Sequence, residues 1–123
     1  MKCNAEHIIK ALTETKYKNS EQLANKLLIY ANELINWNSK FNLTSIKEGM
    51  EVALKHIADS IIPLSNGVFE RINQLADCGT GAGLPGIPLA LAESNLKISL
   101  IESNGKKIKF LRHIKKLLDI NNI

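Results

Sequence analysis

Hydrophobic residues in the first part of the chain recur at the spacing of an α-helix. Between positions 23 and 37 they fall every three or four residues, at Leu23, Leu27, Tyr30, Leu34 and Trp37. Ser20 precedes this stretch and is a residue type that caps helix N-termini. The pattern therefore predicts a helix that begins near Ser20, and the polar segment NWNSKFN at 36–42 is expected to break it.

A second helical stripe follows the expected break. It consists of Met50, Leu54, Ile57 and Ile61. Ser45 and Glu48 have the spacing of a capping box, in which a hydroxyl and a carboxylate bind free backbone N–H groups at a helix start. Pro63 is expected to close the segment, and the Asn-Gly pair at 66–67 is typical of a turn. We therefore predict a helical N-terminal region over residues 1–65.

After residue 66 the pattern changes to short apolar segments separated by glycine. Residues 74–78 and 97–102 have the composition of strands, and helices are expected over 84–93 and 106–119. The order strand, glycine loop, helix, strand, helix predicts an α/β fold with a parallel sheet and right-handed crossovers over residues 66–123. Because two strands are too few for a stable parallel sheet, we expect the chain to be incomplete relative to its fold, with a third strand starting near 121–123.

The segment ADCGTGAGLPGIPLA at 76–90 predicts a loop built around a ligand. A phosphate loop GxxxxGK[ST] is excluded, since residues 87–88 are Ile-Pro where that motif needs a lysine and a hydroxyl. A dinucleotide fingerprint GxGxxG is present, with Glu102 21 positions after its first glycine. Its glycines are Gly81, Gly83 and Gly86. This frame starts two residues after the predicted strand end, and Asp77 would then face a pyrophosphate.

A third motif, DxGxGxG, begins directly at the strand end. It consists of Asp77, Gly79, Gly81 and Gly83. The motif is typical of methyltransferases that bind S-adenosylmethionine, which has no phosphate but carries an ammonium and a sulfonium, so a nearby carboxylate attracts it. Glu102 is placed to accept hydrogen bonds from ribose hydroxyls, as acids do in dinucleotide folds. The methyltransferase interpretation is therefore favoured over the dinucleotide one.

Charge and composition indicate a class of partner and exclude several kinds of site. The net charge is +4, and the last predicted helix carries six basic residues: Lys106, Lys107, Lys109, Arg112, Lys115 and Lys116. Such a patch is typical of proteins that bind a polyanion. The chain has no apolar run that could span a membrane and no signal-peptide core, so we expect a cytoplasmic protein. Its two cysteines and three histidines have neither disulfide nor metal-ligand spacing, so no metal is expected.

Four stretches together resemble one family, the bacterial small-subunit ribosomal RNA guanine-N7 methyltransferase G family, once called glucose-inhibited division protein B. They are WNSKFNLT at 37–44, KHIADS at 55–60, DCGTGAGLPGIPLA at 77–90 and NGKKIKFLR at 104–112. The family's loop reads approximately DVGTGxGLPGIPL, and the stretches follow the family's order. Family members continue well beyond residue 123, so the resemblance implies a C-terminally truncated member.

The resemblance implies a Rossmann-like class I S-adenosylmethionine-dependent methyltransferase that modifies N7 of a guanine in 16S ribosomal RNA. It assigns cofactor contacts to Gly79 and Leu84, and it gives Asp77, Gly81 and Glu102 the shaping or completion of the same pocket. The basic helix is then a candidate RNA contact, and a monomer is expected. Guanine N7 has a lone pair in the ring plane and needs no deprotonation, so no catalytic residue is assigned. Two alternatives remain open: an inactive truncated remnant, and an NAD-binding oxidoreductase fragment.

Some residues outside the loop have two interpretations each. A polar cluster shares one face of a predicted helix and consists of His56, Asp59 and Ser60. We favour a hydrogen-bonded latch between the N-terminal helices and the sheet over a polar border of the ligand site. Trp37 and Phe41 can stack on a base, although the helical stripe favours a core position for Trp37. Cys78 is expected to be buried, as unpaired cysteines usually are.

Overall fold

The computed structural model describes residues 4–18, 20–44 and 49–123. The elements in order are α1 (Ala5–Thr15), α2 (Glu21–Phe41), α3 (Gly49–Glu51), a π-helical segment (Val52–Ile57), α4 (Ala58–Ser65), β1 (Gln74–Cys78), α5 (Gly86–Ala92), β2 (Lys97–Ile101) and α6 (Gly105–Leu117). The protein is therefore a mixed helix and strand structure with a small parallel sheet, which confirms the predicted α/β class. None of these described helices combines the length and apolarity needed to cross a bilayer.

Helix α2 begins where the sequence predicts but ends later. The hydroxyl of Ser20 accepts a backbone N–H of the first turn at 3.1 Å, as an N-cap does. The helix continues to Phe41, so the break predicted over 36–42 falls at the end of that stretch and not at its start. Trp37 explains the extension, because it packs on α6 with its ring centroid 5.4 Å from that of Phe110. The last helical residue is Phe41, and Asn42 after it has the left-handed backbone (φ 52°) that is typical of a C-cap.

The predicted stripe from 50 to 61 lies on helical structure, with ends that differ from the prediction. Ile57 and Ile61 are fully buried. The predicted capping box at Ser45–Glu48 lies outside the described residues. Pro63 does not close the segment, since α4 continues to Ser65. Pro63 affects the turn before it, where it donates no N–H and its ring crowds a carbonyl, whereas after it the carbonyl of Ile62 still accepts the N–H of the residue at 66 at 3.1 Å.

Strands β1 and β2 pair in parallel along their whole length, from Gln74 opposite Lys97 to Cys78 opposite Ile101. The two faces of this sheet differ. Residues 74, 76 and 78 of β1 and 97, 99 and 101 of β2 are exposed, whereas the intervening residues are partly or fully buried. Cys78 is therefore exposed, and the prediction that it is buried is wrong, because its side chain lies on the open face of the sheet.

The end of the chain lies along the second edge of β2. The backbone N–H of Ile98 donates to the carbonyl of Asn122 at 2.8 Å. The Asn122 side-chain amide donates in turn to three carbonyls at the end of α5 and in the turn after it, those of Ala90, Glu93 and Leu96, at 3.1, 3.0 and 2.8 Å. These last residues hold the α5–β2 turn. They are also the residues at which the sequence predicts the start of a third strand.

One hydrophobic core joins the helices at the start of the chain to the sheet and its helices. It includes Ile8 of α1, Leu27 of α2, Ile61 of α4, Ile87 of α5, Ile98 of β2 and Ile114 of α6. The helices therefore cover one face of the sheet and hold the glycine-rich segment between β1 and α5 in place. The division at residue 65 into a helical region and a sheet domain stays a prediction.

Candidate functional site

The glycine-rich segment forms a loop at the carboxyl end of β1. The N–H groups of Gly79 and Thr80 both donate to the carbonyl of Ile101, at 2.8 and 3.1 Å, so the loop is tied to the end of β2. The φ angles of Gly79, Gly81 and Gly83 are 68°, 62° and 98°. Residues with a side chain rarely adopt this region, so the shape of the loop requires glycine at these positions.

Asp77 holds the loop from its inner side. One of its carboxylate oxygens, Oδ2, accepts the hydroxyl of Thr80 at 2.6 Å and the backbone N–H of Gly86 at 3.0 Å. Thr80 is itself buried. A single carboxylate thus joins the first part of the loop to the first turn of α5, and Asp77 has the geometry of a residue that shapes the loop.

Glu102 holds the opposite side of the loop from the end of β2. Its Oε1 accepts the N–H of Gly81 at 2.8 Å, and its Oε2 accepts those of Ser103 and Asn104 at 3.0 and 2.9 Å. The Asn104 N–H and then the Gly81 N–H lower the pKa of Glu102 below its ordinary value of 4.5. A carboxylate accepts about four donors, so Oε1 retains capacity for one more.

The glycines of the loop differ in what surrounds them. A Cβ atom added at Gly79 or Gly81 would meet no atom within 4 Å. A Cβ at Gly83 would stand 2.6 Å from Ile87, and one at Gly86 would stand 2.3 Å from a leucine of β2. The first two glycines therefore border open space, and the other two permit close packing. We call the open side at Gly79 and Gly81 the glycine cradle.

Tyr30 anchors the loop from α2, a role that sequence reasoning missed. Its hydroxyl donates to the carbonyl of Ala82 at 2.9 Å, and its side chain is completely buried. Burial, followed by the charge of Asp77, raises the pKa of Tyr30 well above its ordinary value of 10. The available signal was a tyrosine within a stripe of leucines, because a buried phenol hydroxyl usually has a hydrogen-bond partner.

Leu84 and a cleft beside Glu102 complete the surroundings of the loop. Leu84 is partly buried against the core, and its N–H donates to the carbonyl of Thr80 at 3.1 Å. The cleft beside Glu102 has a volume of about 310 Å³ and is lined partly by apolar residues of β2 and α6. A larger cleft of about 640 Å³ lies beside Lys97 at the other end of β2, away from the glycine loop. The contact of Leu84 with a cofactor stays a prediction.

Helix α6 gathers the predicted basic residues on the surface. Lys106, Lys109, Arg112, Lys115 and Lys116 are exposed, and Lys107 is partly exposed. The other side of the helix enters the core through Phe110 and Ile114, which are fully buried. Asn104 caps this helix, with its side-chain oxygen accepting two backbone N–H groups of the first turn. The contact of this surface with RNA stays a prediction.

The polar cluster at 56–60 makes its hydrogen bond within a helix. The hydroxyl of Ser60 donates to the carbonyl of His56 at 2.5 Å, one turn earlier, and Asp59 is exposed. The favoured latch to the sheet therefore finds no support from Ser60. Among the described residues the buried Nε2 of His56 has no partner. Burial and then Lys55 lower the pKa of His56, whereas Asp59 opposes this shift.

In the part of the chain that the structure describes, no group of three or more His, Cys, Asp or Glu side chains is placed to hold a metal ion. The site described above consists of the glycine cradle and the two carboxylates, Asp77 and Glu102, that hold its loop. This arrangement presents backbone and negative charge to a ligand at the carboxyl end of two parallel strands.

Known proteins are similar to this sequence over most of its length. The family model described as rRNA small subunit methyltransferase G matches residues 23–123. A protein of that name from Mycoplasma mycoides is 45% identical over 111 residues, which cover 87% of this chain and 80% of the relative. Proteins of the same name from Xylella fastidiosa and Clostridium botulinum are 43% and 38% identical, over 79% and 93% of this chain.

Relative to the last two proteins this chain is short. The matches cover 44% of the Xylella protein and 48% of the Clostridium protein, so the chain spans about half the length of these curated relatives. The matched residues include the glycine loop, both of its carboxylates and the basic helix. The chain belongs to the rRNA small subunit methyltransferase G family.

Proposed function

We propose that this chain forms the cofactor-binding part of a Rossmann-like class I S-adenosylmethionine-dependent methyltransferase. In this proposal residues 1–65 are a helical region and residues 66–123 are the first part of the methyltransferase domain. The observation that carries it is the glycine cradle, which lies between Asp77 and Glu102 at the carboxyl ends of two parallel strands. Ligands of open α/β sheets bind at such strand ends.

The groups around the cradle suit S-adenosylmethionine. The open sides of Gly79 and Gly81 allow a ligand to approach the backbone closely. The carboxylates of Asp77 and Glu102 favour a ligand that carries an ammonium and a sulfonium. The remaining capacity of Glu102 Oε1 suits one ribose hydroxyl. When bound, S-adenosylmethionine supplies a methyl group activated by its sulfonium.

The geometry gives less support to an NAD-binding oxidoreductase. In the dinucleotide fingerprint the second glycine allows the backbone to approach the pyrophosphate. Here that glycine is Gly83, and the space that its side chain would take is filled by Ile87, 2.6 Å away. The accessible glycines, Gly79 and Gly81, belong to the DxGxGxG frame. This difference favours the methyltransferase over the oxidoreductase.

The proposed reaction is methyl transfer to N7 of a guanine in 16S ribosomal RNA. The N7 atom is already a nucleophile, so the chain needs no general base and its residues act by binding and alignment. Asp77, Glu102 and Tyr30 hold the loop in shape through hydrogen bonds of 2.6 to 3.0 Å. The basic surface of α6 would attract the phosphates of the RNA.

Calorimetric titration of the chain with S-adenosylhomocysteine and with NAD tests the cofactor. We expect the chain to bind S-adenosylhomocysteine, and binding of NAD alone would overturn the proposal. Gly79→Ala is expected to weaken this binding, because the methyl group enters the cradle and the φ of 68° is unfavourable for alanine. Gly105→Ala is the matched control, since its Cβ also meets open space but its backbone is helical and lies outside the cradle.

A methyl-transfer assay on unmodified small ribosomal subunits tests the reaction. We expect labelled methyl groups at N7 of a guanine in 16S RNA. Binding of S-adenosylhomocysteine without any transfer would instead support the inactive remnant. The two measurements therefore separate a wrong cofactor from a chain that binds the cofactor but does not turn over.

A further inference from the structure

An aromatic and basic surface lies where the end of α2 meets the start of α6. It consists of Trp37, Phe41, Lys106 and Lys109, and we call it the base platform. The side chain of Phe41 is 41% exposed. The centroid of the Trp37 ring lies 5.5 Å from that of Phe41, and the Nζ atom of Lys106 lies 6.0 Å from the Phe41 centroid. A cation and an exposed aromatic ring are thus adjacent on the surface.

The platform is held rigidly from beneath. The Trp37 ring stacks on His113, with centroids 5.1 Å apart and planes 28° apart, and it meets Phe110 edge-on. His113 is fixed in turn by Glu33, whose carboxylate lies 2.6 Å from its Nε2. A ring on such a support loses little freedom when a ligand stacks on it. Phe41 therefore packs on a tryptophan that is itself held against α6.

The chemistry of the platform fits an unpaired nucleotide. Phe41 is the one aromatic side chain among the large exposed hydrophobic residues of the described part of the chain, and the others are aliphatic. Lys106 and Lys109 are both exposed, and at a spacing of three residues they share a face of α6. Bases stack on aromatic rings and phosphates pair with lysine, which is how proteins bind single-stranded RNA. An acidic peptide would use the lysines but not the ring.

Lys106 connects the platform to the proposed cofactor site, because it lies close to Glu102 along the chain. Lys106 follows Glu102 by four residues, which span at most about 14 Å. A stacked strand covers that distance in about four nucleotides at ~3.4 Å each. We propose that the base platform stacks an unpaired RNA base within about four nucleotides of the methylated guanine, with Lys106 on the adjoining phosphate. This inference rests on the proposed function, because it takes RNA as the substrate.

The fluorescence of Trp37 reports on this surface directly, because it is the single tryptophan of the chain. The probes are a short guanine-containing single-stranded RNA and an abasic oligonucleotide of equal length. We expect the RNA to bind more tightly than the abasic strand and to change the fluorescence of Trp37. Phe41→Leu should weaken RNA binding by roughly tenfold or more, whereas Phe41→Tyr should keep it.

Salt dependence separates the lysine from the ring. Lys106→Gln should reduce the slope of log affinity against log salt by about 0.7, the value for one phosphate contact to a single strand. Lys97→Gln is the matched control, since Lys97 is also exposed but lies at the other end of β2. Circular dichroism of each variant checks that the fold is retained.

Three results would overturn the inference. The first is an equal RNA affinity of Phe41→Leu and the parent chain, and the second is equal binding of the RNA and the abasic strand. The third is that polyglutamate competes for the surface as strongly as the RNA does. The titration with S-adenosylhomocysteine keeps this result distinct from the proposed function. If the chain binds the cofactor analogue but its RNA affinity does not depend on Phe41, only the base platform is refuted. If the chain binds RNA through Phe41 but does not bind the analogue, only the proposed cofactor site is refuted.

Discussion

Replacing Tyr30 by phenylalanine is expected to free the glycine loop while the core stays packed. The ring of Tyr30 is completely buried, with its centroid 6.3 Å from that of Phe110, and phenylalanine retains this ring. The change removes only the hydroxyl that donates to the carbonyl of Ala82 at 2.9 Å. Ala82 is itself buried and follows Gly81 of the cradle directly, so the loss falls on the loop.

The size of the effect follows from the buried hydrogen bond. A buried polar group that loses its partner costs about 1–3 kcal/mol. For a chain of this length the entropy of unfolding is roughly 260 cal/mol/K, so 1 kcal/mol corresponds to about 4 °C in Tm. We therefore expect Tyr30→Phe to lower the free energy of unfolding by about 1–3 kcal/mol and Tm by roughly 4–12 °C. The affinity for S-adenosylhomocysteine should fall as well.

Thermal unfolding followed by circular dichroism measures this change, and Tyr17→Phe is the matched control. The chain has two tyrosines. The hydroxyl of Tyr17 also donates hydrogen bonds at the end of α5, to the carbonyl of Ala92 at 3.3 Å and to the carboxylate of Glu93. The side chain of Tyr17, however, is partly exposed. Water can replace those bonds, so we expect a loss below about 1 kcal/mol. Equal losses in the two variants would refute the special role of the Tyr30 hydroxyl.

The remaining predictions concern packing, the chain end and pH. Gly86→Ala should cost about 1–3 kcal/mol in urea unfolding, because its Cβ would stand 2.3 Å from a leucine of β2, whereas Gly105→Ala should not be destabilising. Asn122→Ala should cost about 1–3 kcal/mol by freeing three carbonyls, and an unchanged urea midpoint would contradict this role. Because the pKa of His56 is lowered in the folded chain, the unfolded chain binds more protons below pH 6.5, so stability should fall as pH drops through that value. His56→Gln should flatten that slope. The lowered pKa of Glu102 predicts a separate loss of stability as pH falls below 4.5, which Glu102→Gln should abolish.

Much of the glycine loop could be predicted because its signals are local. The strand at 74–78 has the predicted bounds, and the second strand ends one residue before the predicted 102. The prolines suit this segment, since Pro85 and Pro88 lie at the start of α5, where a missing N–H costs little. The structure brings Asp77, Gly81 and Glu102 together as the motif spacing indicates.

The contacts that hold the loop to the rest of the molecule left no local pattern. Tyr30 and Ala82 are separated by 52 positions, and only the packing of α2 against the sheet brings them together. Helix α2 passes through a polar segment because Trp37 finds partners on α6, which lies more than seventy residues later. Cys78 was misjudged for a related reason, since the composition of a strand does not tell which face of its sheet is covered.

The two carboxylates at the glycine loop also decide when its conformational entropy is lost. Asp77 and Glu102 bind N–H or hydroxyl groups on both sides of the loop through contacts within the chain itself. Ordering about seven residues at 1–2 kcal/mol each would otherwise cost roughly 7–14 kcal/mol at the moment of binding. That is comparable to the whole binding free energy of a micromolar ligand, about 8 kcal/mol. The chain loses this entropy on folding instead. A substitution that loosens the loop therefore weakens the binding of a ligand even when the altered residue does not contact that ligand.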